Sequence, residues 1–87
     1  MLHTIIIYTL AHCPYCIKAK NLLLEKNVEF QEIAVENFTA EQREELKAKT
    51  GGKSSVPQIF IDGKHVGGCD DLYKLEKEGE LDELLKG

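Results

Sequence analysis

Two cysteines separated by two residues are the part of this sequence best suited to chemistry. They stand in the tetrapeptide Cys13-Pro14-Tyr15-Cys16. A thiolate attacks disulfides and a neutral thiol is a poor nucleophile, yet an unperturbed cysteine with a pKa of roughly 8.5 is mostly protonated at neutral pH. Redox chemistry at Cys13 therefore needs neighbouring groups that favour its anion.

A helix that begins at Pro14 would provide such groups. Proline suits the first helical position because its backbone angle is preset and it has no N–H to leave unpaired. The N–H groups of Tyr15 and Cys16, with the positive end of the helix dipole, then favour a thiolate at Cys13. Because Cys16 lies nearly one turn further on, it can attack a mixed disulfide on Cys13. We predict that Cys13 is the nucleophile and Cys16 the resolving cysteine.

The same pair of cysteines is also compatible with half of a zinc site. The remaining ligands would come from the three histidines and the third cysteine: His3, His12, His65 and Cys69. The sequence has no second pair with this spacing, which makes zinc the weaker interpretation. Covalent haem attachment would need a histidine directly after Cys16, where Ile17 stands, so we expect no metal.

Composition restricts the class of protein. The 87 residues are 43% hydrophobic and 30% charged, as expected for one soluble globular domain over residues 1–87. A net charge of -4 argues against a nucleic-acid partner. The apolar run at residues 5–7 is too short to span a membrane and follows no basic signal-peptide region. With an odd number of cysteines, the chain fits a reducing compartment, and we expect a cytoplasmic protein without a membrane partner.

The first half of the chain has the pattern strand, helix, strand, helix. Residues 4–8 form a β-branched and aromatic run typical of a buried strand, and helical spacing follows from Pro14 to about residue 27. Residues 28–35 largely alternate apolar and polar side chains, which predicts a second strand. Thr39-Ala40-Glu41-Gln42 fits a capping box at the start of a helix that ends before Gly51.

The second half predicts a hairpin and a further helix. Residues 56–61 form a third strand, and the turn Asp62-Gly63 leads into a fourth at residues 64–67. Asp70 or Asp71 is a suitable N-cap for the next helix, and a short segment at 81–85 closes the chain. This order predicts an α/β protein with a thioredoxin-like fold, in which a right-handed crossover and a hairpin build a four-stranded mixed sheet flanked by helices.

Four motifs in this order resemble a dithiol glutaredoxin of the short bacterial type, over nearly the whole chain: Tyr8-Thr9, Cys13-Pro14-Tyr15-Cys16, Ser55-Val56-Pro57-Gln58 and Gly67-Gly68-Cys69-Asp70-Asp71-Leu72. The resemblance implies a glutathione-dependent oxidoreductase that reduces protein disulfides and protein-glutathione mixed disulfides. Its partners would be glutathione, as co-substrate, and disulfide-containing or glutathionylated proteins such as ribonucleotide reductase. We expect a monomer with no tightly bound cofactor.

The resemblance also implies where glutathione binds. The peptide bond before Pro57 would be cis, and the backbone of Val56 would pair with the cysteine of glutathione. Gly67 and Gly68 permit close backbone approach, and the helix start that follows would hold the γ-glutamyl group. The whole set of predicted glutathione-binding residues is Tyr15, Lys53, Ser55, Val56, Pro57, Gly68, Cys69, Asp70 and Asp71.

Two features depart from the family pattern. Many glutaredoxins have a lysine three residues before the nucleophile, where this chain has Leu10. The helix N-terminus must then supply most of the stabilisation of the thiolate, with Lys53 as a further source of positive charge. The loop that carries Lys53, residues 50–55, also holds an extra residue relative to the family.

Two other functions stay open at this stage. One is a glutaredoxin-like hydrogen donor that is recharged by thioredoxin reductase, which Leu10 leaves possible. The other is a binding module in which two chains and two glutathiones hold an iron-sulfur cluster through Cys13, which Pro14 disfavours. The third cysteine, Cys69, is either a small buried residue or a target for regulatory oxidation.

Overall fold

The computed structural model describes residues 3–53 and 55–86. Seven predicted elements occur there in the predicted order, and the closing segment, predicted without an element type, is a helix. The described residues thus form eight elements. They are β1 (Ile5–Thr9), α1 (Pro14–Glu25), β2 (Gln31–Ala34), α2 (Ala40–Lys49), β3 (Gln58–Ile61), β4 (Lys64–Gly67), α3 (Cys69–Lys77) and α4 (Glu80–Leu85). In the described part of the chain, no helix is long and apolar enough to cross a membrane.

The four strands form one mixed sheet in the order β2-β1-β3-β4. Strands β1 and β2 are parallel, with α1 as the connection between them, whereas β1–β3 and β3–β4 are antiparallel. The predicted α/β class and thioredoxin-like arrangement are thereby confirmed. The carboxyl end of β1 leads directly into the turn that carries Cys13.

The core lies on one face of the sheet. Burial alternates along β1, because successive side chains of a strand point to opposite faces. The inward-facing side chains of the sheet meet those of α1, α3 and α4 in one cluster: Ile5, Ile7, Ala19, Leu22, Leu23, Ile59, Ile61, Cys69, Leu72 and Leu81. The start of α1 and the start of α3 are therefore held against the same core.

Helix α2 is attached differently. No residue of Ala40–Lys49, a range described throughout, is fully buried. The predicted capping box is present: the Thr39 hydroxyl accepts from Gln42 N–H at 3.2 Å, and the Gln42 side chain accepts from Thr39 N–H at 2.8 Å. Local capping thus defines the start of a helix that contributes little to the core.

Two strands are shorter than predicted. β2 begins at Gln31 rather than residue 28, because its ladder with β1 starts at the pair Ile6 and Gln31. β3 begins at Gln58 rather than Val56, since Pro57 has no N–H to donate to a ladder.

The predicted cap of α3 was also wrong. The N-cap is Gly68, and Asp70 and Asp71 lie in the first turn of the helix. The Asp71 carboxylate instead reaches back to accept a hydrogen bond from Gly68 N–H at 3.0 Å.

A polar cluster joins the two ends of the described chain. His3 Nδ1 lies 2.6 Å from the Asp62 carboxylate, and its Nε2 lies 2.9 Å from the carbonyl oxygen of Lys86. Asp62 also accepts from Thr4 N–H at 2.9 Å. The hydrogen bond to Asp62 raises the pKa of His3, and the same contact lowers the pKa of Asp62.

Candidate active site

The tetrapeptide Cys13-Pro14-Tyr15-Cys16 forms the start of α1, as predicted. Cys13 is the N-cap and is linked to Cys16 by a disulfide, with Cα atoms 5.2 Å apart. The backbone N–H of Cys16 donates to the sulfur of Cys13 at 3.2 Å. Cys13 is half-buried, whereas Cys16 is only 1% exposed. The more accessible sulfur is therefore the one that faces the helix N-terminus.

The loop between β1 and Cys13 is fixed by the segment that follows β2. Glu36 accepts a hydrogen bond from Ala11 N–H at 3.1 Å, and Val35 N–H donates to the carbonyl of Thr9 at 2.9 Å. His12, directly before Cys13, has a left-handed backbone conformation with φ of 58°. These contacts determine how the chain enters the turn.

A second carboxylate ties the end of β1 to α1. Glu32 accepts from the Lys20 ammonium at 3.0 Å and from the buried hydroxyl of Thr9 at 2.8 Å. Those two hydrogen bonds, with that to Lys20 the larger effect, lower the pKa of Glu32 below its ordinary value. The carboxylate is therefore charged when it braces the strand that precedes the cysteines.

Beside this turn lies a groove of about 230 Å³. It is bordered by all nine residues that the sequence predicts for glutathione, together with one that it does not: Tyr15, Lys53, Ser55, Val56, Pro57, Gln58, Gly68, Cys69, Asp70 and Asp71. Residues from three separate parts of the chain, the turn at Tyr15, the segment that leads from α2 into β3, and the start of α3, thus meet in one place. We name this surface the first groove.

One wall of the first groove depends on two adjacent glycines. Gly67 has φ of 124°, a conformation that glycine adopts readily and other residues rarely do, and a Cβ there would collide with the Asp71 side chain. At Gly68 a Cβ would stand 3.3 Å from the carbonyl oxygen of Pro57. Their lack of side chains brings the start of α3 close to the Val56-Pro57 segment, whose peptide bond is cis as predicted.

The start of α3 presents both hydrogen-bond donors and carboxylates to the first groove. The backbone N–H groups of its first turn have no partner within the helix. Asp70 and Asp71 are both exposed, and the Asp71 carboxylate accepts a hydrogen bond from Gly68 N–H. A zwitterionic end of a ligand, with a carboxylate beside an ammonium, fits N–H donors next to an exposed carboxylate.

Cys69 lies at the same helix start and is buried. Burial raises the pKa of its thiol, Lys18 opposes this effect, and Asp70 adds to it. A thiol held neutral is a weak nucleophile. Cys69 is therefore less suited to nucleophilic attack than an ordinary cysteine, although the groove that it borders lies beside the Cys13 turn.

Gln58 is the groove residue to which the sequence analysis gave no role. Its amide nitrogen donates to the carbonyl of Ser55 at 3.0 Å, and His65 Nε2 lies 2.7 Å from its amide oxygen. Gln58 is only 1% exposed. The sequence signal for this role was a polar residue directly after Pro57, at the start of a predicted buried strand. A buried amide needs hydrogen-bond partners for both its nitrogen and its oxygen.

Lys53 is held in place by its backbone. The hydroxyl of the buried Thr50 donates to the carbonyl of Lys53 at 2.9 Å, and Gly52 N–H donates to the carbonyl of Lys47 at 2.7 Å. Ser54, in the same predicted loop, lies outside the described residues. Leu10 does not border the first groove within the described chain, but lines a neighbouring depression together with Lys53.

The alternative zinc site can be compared with the structure. Within residues 3–53 and 55–86, no group of three or more histidine, cysteine, aspartate or glutamate side chains is arranged to hold a metal ion. His65 pairs with Gln58 and His3 pairs with Asp62, so these two histidines are engaged elsewhere.

Comparison with known proteins identifies the family. The sequence model described as Glutaredoxin matches residues 5–66. Glutaredoxin 1 of Rickettsia felis is 69% identical over 87 residues, covering 100% of this chain and 85% of the relative. The chain belongs to the glutaredoxin family. As a family member with a Cys13–Cys16 pair, it is a thiol-disulfide oxidoreductase.

Solved structures agree with this assignment to the glutaredoxins. The solution structure of a glutaredoxin from Brucella melitensis is 53% identical, with a TM-score of 0.81 over 99% of this chain and 90% of that one. The crystal structure of a buckwheat glutaredoxin-glutathione complex is 28% identical, with a TM-score of 0.84 over 95% of this glutaredoxin and 76% of that chain.

Proposed function

We propose that this chain is a glutathione-disulfide oxidoreductase that reduces protein-glutathione mixed disulfides and protein disulfides, with glutathione as co-substrate. The supporting observation is the first groove, which adjoins the Cys13 turn and combines the backbone of Val56, before the cis proline, with N–H donors and the exposed Asp70 carboxylate at the start of α3. A tripeptide with a central cysteine and charged ends matches that combination.

Reduction of a mixed disulfide uses Cys13 alone. The Cys13 thiolate attacks the sulfur of the glutathionyl group, a Cys13-glutathione disulfide forms, and the protein thiolate leaves and takes up a proton. A second glutathione thiolate then attacks the glutathionyl sulfur. Glutathione disulfide is released, and Cys13 returns as a thiolate.

Reduction of a protein disulfide uses both cysteines. Cys13 attacks one substrate sulfur, and the other substrate sulfur leaves as a thiolate. Cys16, as a thiolate, then attacks the Cys13 sulfur, which forms the Cys13–Cys16 disulfide and releases the reduced substrate. Two glutathiones reduce the enzyme disulfide and leave as glutathione disulfide.

Single-cysteine variants test this mechanism. In a glutathione-coupled assay, Cys13→Ser should abolish turnover of both substrate types. Cys16→Ser should keep reduction of the mixed disulfide and lose the dithiol reaction. Full activity of Cys13→Ser would contradict the proposal.

The choice of reductant tests the dependence on glutathione. Turnover with glutathione, but not with thioredoxin reductase, is expected. The reverse result would favour the hydrogen-donor alternative, and a coloured dimer purified with glutathione would favour the cluster-binding alternative. We further propose that residues 1–87 act as a single cytoplasmic domain and as a monomer, with ribonucleotide reductase among the substrates to be tested.

A further inference from the structure

His65 lies outside the first groove but is connected to it by two side-chain hydrogen bonds in series. It belongs to β4 and does not border the first groove within the described chain. Its Nε2 atom lies 2.7 Å from the amide oxygen of Gln58, and the Gln58 amide nitrogen donates to the carbonyl of Ser55 at 3.0 Å. Ser55 borders the first groove beside Val56. No step of the proposed reaction uses His65 itself.

The chemistry of the donors and acceptors fixes the direction of these two hydrogen bonds. The Ser55 carbonyl can only accept, so the nitrogen of the Gln58 amide must face it and the amide oxygen must face His65. That oxygen can also only accept, so His65 Nε2 carries the hydrogen that is donated. Because Gln58 is buried, loss of this donor would leave its amide oxygen without a partner. His65 therefore helps to keep the amide in the orientation that holds Ser55.

The strand register and an aromatic contact hold the His65 ring in place. His65 lies opposite Phe60 in the β3–β4 ladder. Phe60 and Gln58 are two residues apart on β3, so their side chains point to the same face of the sheet. The rings of His65 and Phe60 pack with their centroids 5.1 Å apart. The donor is thus supplied by a side chain that is already ordered, which lowers the entropy cost of the hydrogen bond.

The accepting carbonyl belongs to a segment that precedes the sheet. β3 begins at Gln58, and Pro57 has no N–H to donate. Outside the helices and strands, no backbone–backbone hydrogen bond in the described part of the chain involves Ser55 or Val56. The side-chain amide of Gln58 therefore takes the place of a backbone donor at Ser55, one residue before the backbone on which the proposed function relies.

We propose that His65 and Gln58 form a positioning pair, which holds the carbonyl of Ser55 and thereby the direction of the Val56 backbone that meets the cysteine of glutathione. A pair that only stabilised the sheet would bond within it, whereas this pair ends on the loop before it. His65 acts through Gln58 and contacts no reacting atom in this role. The inference rests on the proposed function, because it needs glutathione in the first groove.

Two substitutions of His65 separate its hydrogen bond from its ring. His65→Phe keeps an aromatic ring against Phe60 and removes the donor. His65→Gln keeps a donor, because its amide nitrogen is the same number of bonds from the backbone as Nε2. The measurement is the dissociation constant of S-methylglutathione, followed by NMR at the Val56 N–H. We expect it to rise about three- to tenfold in His65→Phe and to stay within about twofold in His65→Gln.

A second measurement distinguishes positioning from a general loss of stability. The Cys13–Cys16 disulfide is reduced either with glutathione or with dithiothreitol, which has no peptide backbone to meet Val56. His65→Phe should slow the reaction with glutathione by about three- to tenfold and leave the reaction with dithiothreitol unchanged.

His3→Phe is the matched control. It removes a histidine that contacts a side-chain oxygen, that of Asp62, and His3 does not border the first groove. This variant should have a lower melting temperature, with both reduction rates unchanged.

Replacement of Gln58 tests whether His65 acts through it. Gln58→Met keeps the length of the side chain without its polar atoms, and should itself weaken the binding of S-methylglutathione. When His65→Phe is added to Gln58→Met, the further loss should be less than about twofold, because no amide remains for the histidine to orient. Circular dichroism of each variant checks that it is folded.

Several results would overturn the positioning pair. One is an unchanged dissociation constant in His65→Phe or in Gln58→Met. Another is a loss in His65→Gln equal to that in His65→Phe. Equal slowing with glutathione and dithiothreitol, or a full further loss when His65→Phe is added to Gln58→Met, would also contradict it. Failure of the unchanged protein to bind S-methylglutathione would instead contradict the proposed function.

Discussion

The carboxylate of Glu36 accepts a hydrogen bond from the backbone N–H of Ala11, two residues before Cys13. Val35 N–H also holds the carbonyl of Thr9, so the segment after β2 fixes both ends of the short loop that enters the turn. Because Cys13 caps α1 through its own sulfur, the direction of that loop decides whether the sulfur faces the helix N-terminus.

Removal of the Glu36 carboxylate should loosen this loop. We expect Glu36→Ala to lower the free energy of unfolding by about 0.5–1.5 kcal/mol, as for a single lost hydrogen bond. Amide hydrogen exchange at Ala11, followed by NMR, should become faster. Glu36→Gln keeps an acceptor oxygen and should retain protection at Ala11, so equal loss in both variants would argue against a role for this hydrogen bond.

The helix N-terminus should keep Cys13 reactive at pH values where an ordinary thiol is not. In the reduced Cys16→Ser variant, the backbone N–H at position 16 is retained. The rate of alkylation by iodoacetamide should therefore reach half of its maximum at a pH clearly below about 8.5. The Cys13→Ser, Cys16→Ser protein leaves Cys69, whose burial raises its thiol pKa, and should react slowly. If the alkylation rate reaches half of its maximum only near pH 8.5, roughly the ordinary thiol pKa, the helix N-terminus does not activate Cys13.

The pair of His3 and Asp62 should make the free energy of unfolding depend on pH in two separate pH ranges. The contribution of His3, whose pKa is raised above 6.5, is complete below that value and is lost as pH rises through the folded-state pKa. The contribution of Asp62, whose pKa is lowered below 3.8, is lost as pH falls through its folded-state pKa.

Urea unfolding at a series of pH values measures this dependence. Asp62→Asn should flatten the decline in stability above pH 6.5, because the neutral amide no longer favours the charged imidazole. His3→Gln should flatten the same region. A decline that persists unchanged in both variants would assign it to other groups.

Gly67→Ala should disturb both stability and the first groove. The positive φ is unfavourable for alanine, and the new Cβ would displace the Asp71 side chain from Gly68. We expect a loss of about 2–3 kcal/mol and a higher KM for glutathione. Gly79→Ala is the matched control, since its φ is also positive but the space around its Cβ is open among the described residues; about 1 kcal/mol is expected there, with KM unchanged. Similar losses in the two variants would mean that the contact with Asp71 is unimportant.

Element types could be predicted from the sequence better than element ends. Apolar alternation reports burial rather than hydrogen bonding, which is why the predicted second strand extended over Val28 and Phe30. Both pack against the core, yet the ladder with β1 begins only at Gln31. The prediction of the α3 N-cap was wrong for a related reason. The preference for Asp at N-caps is local, whereas the position of Gly68 is set by its close approach to Pro57.

The candidate site could be predicted only as far as motifs define it. The turn at Cys13 followed from residue chemistry, while the grouping of Val56, Pro57 and Asp70 came from family resemblance, since their proximity depends on the folded sheet. The partner of Gln58 could not be foreseen. It depends on the register between β3 and β4, which shifts between Ile59 and Phe60 and brings His65 within reach.

Because α2 contributes little to the core, its surface residues can change without a large effect on the stability of the fold. The reactive turn and the start of α3 rest on the core, so a change there threatens folding. In contrast, the side chains of Ala40–Lys49, a fully described range, can be exchanged without opening a cavity, because none of them is fully buried. Substitutions on the surface of this helix should therefore change the free energy of unfolding little, whereas substitutions among the buried residues of α1 and α3 should be costly.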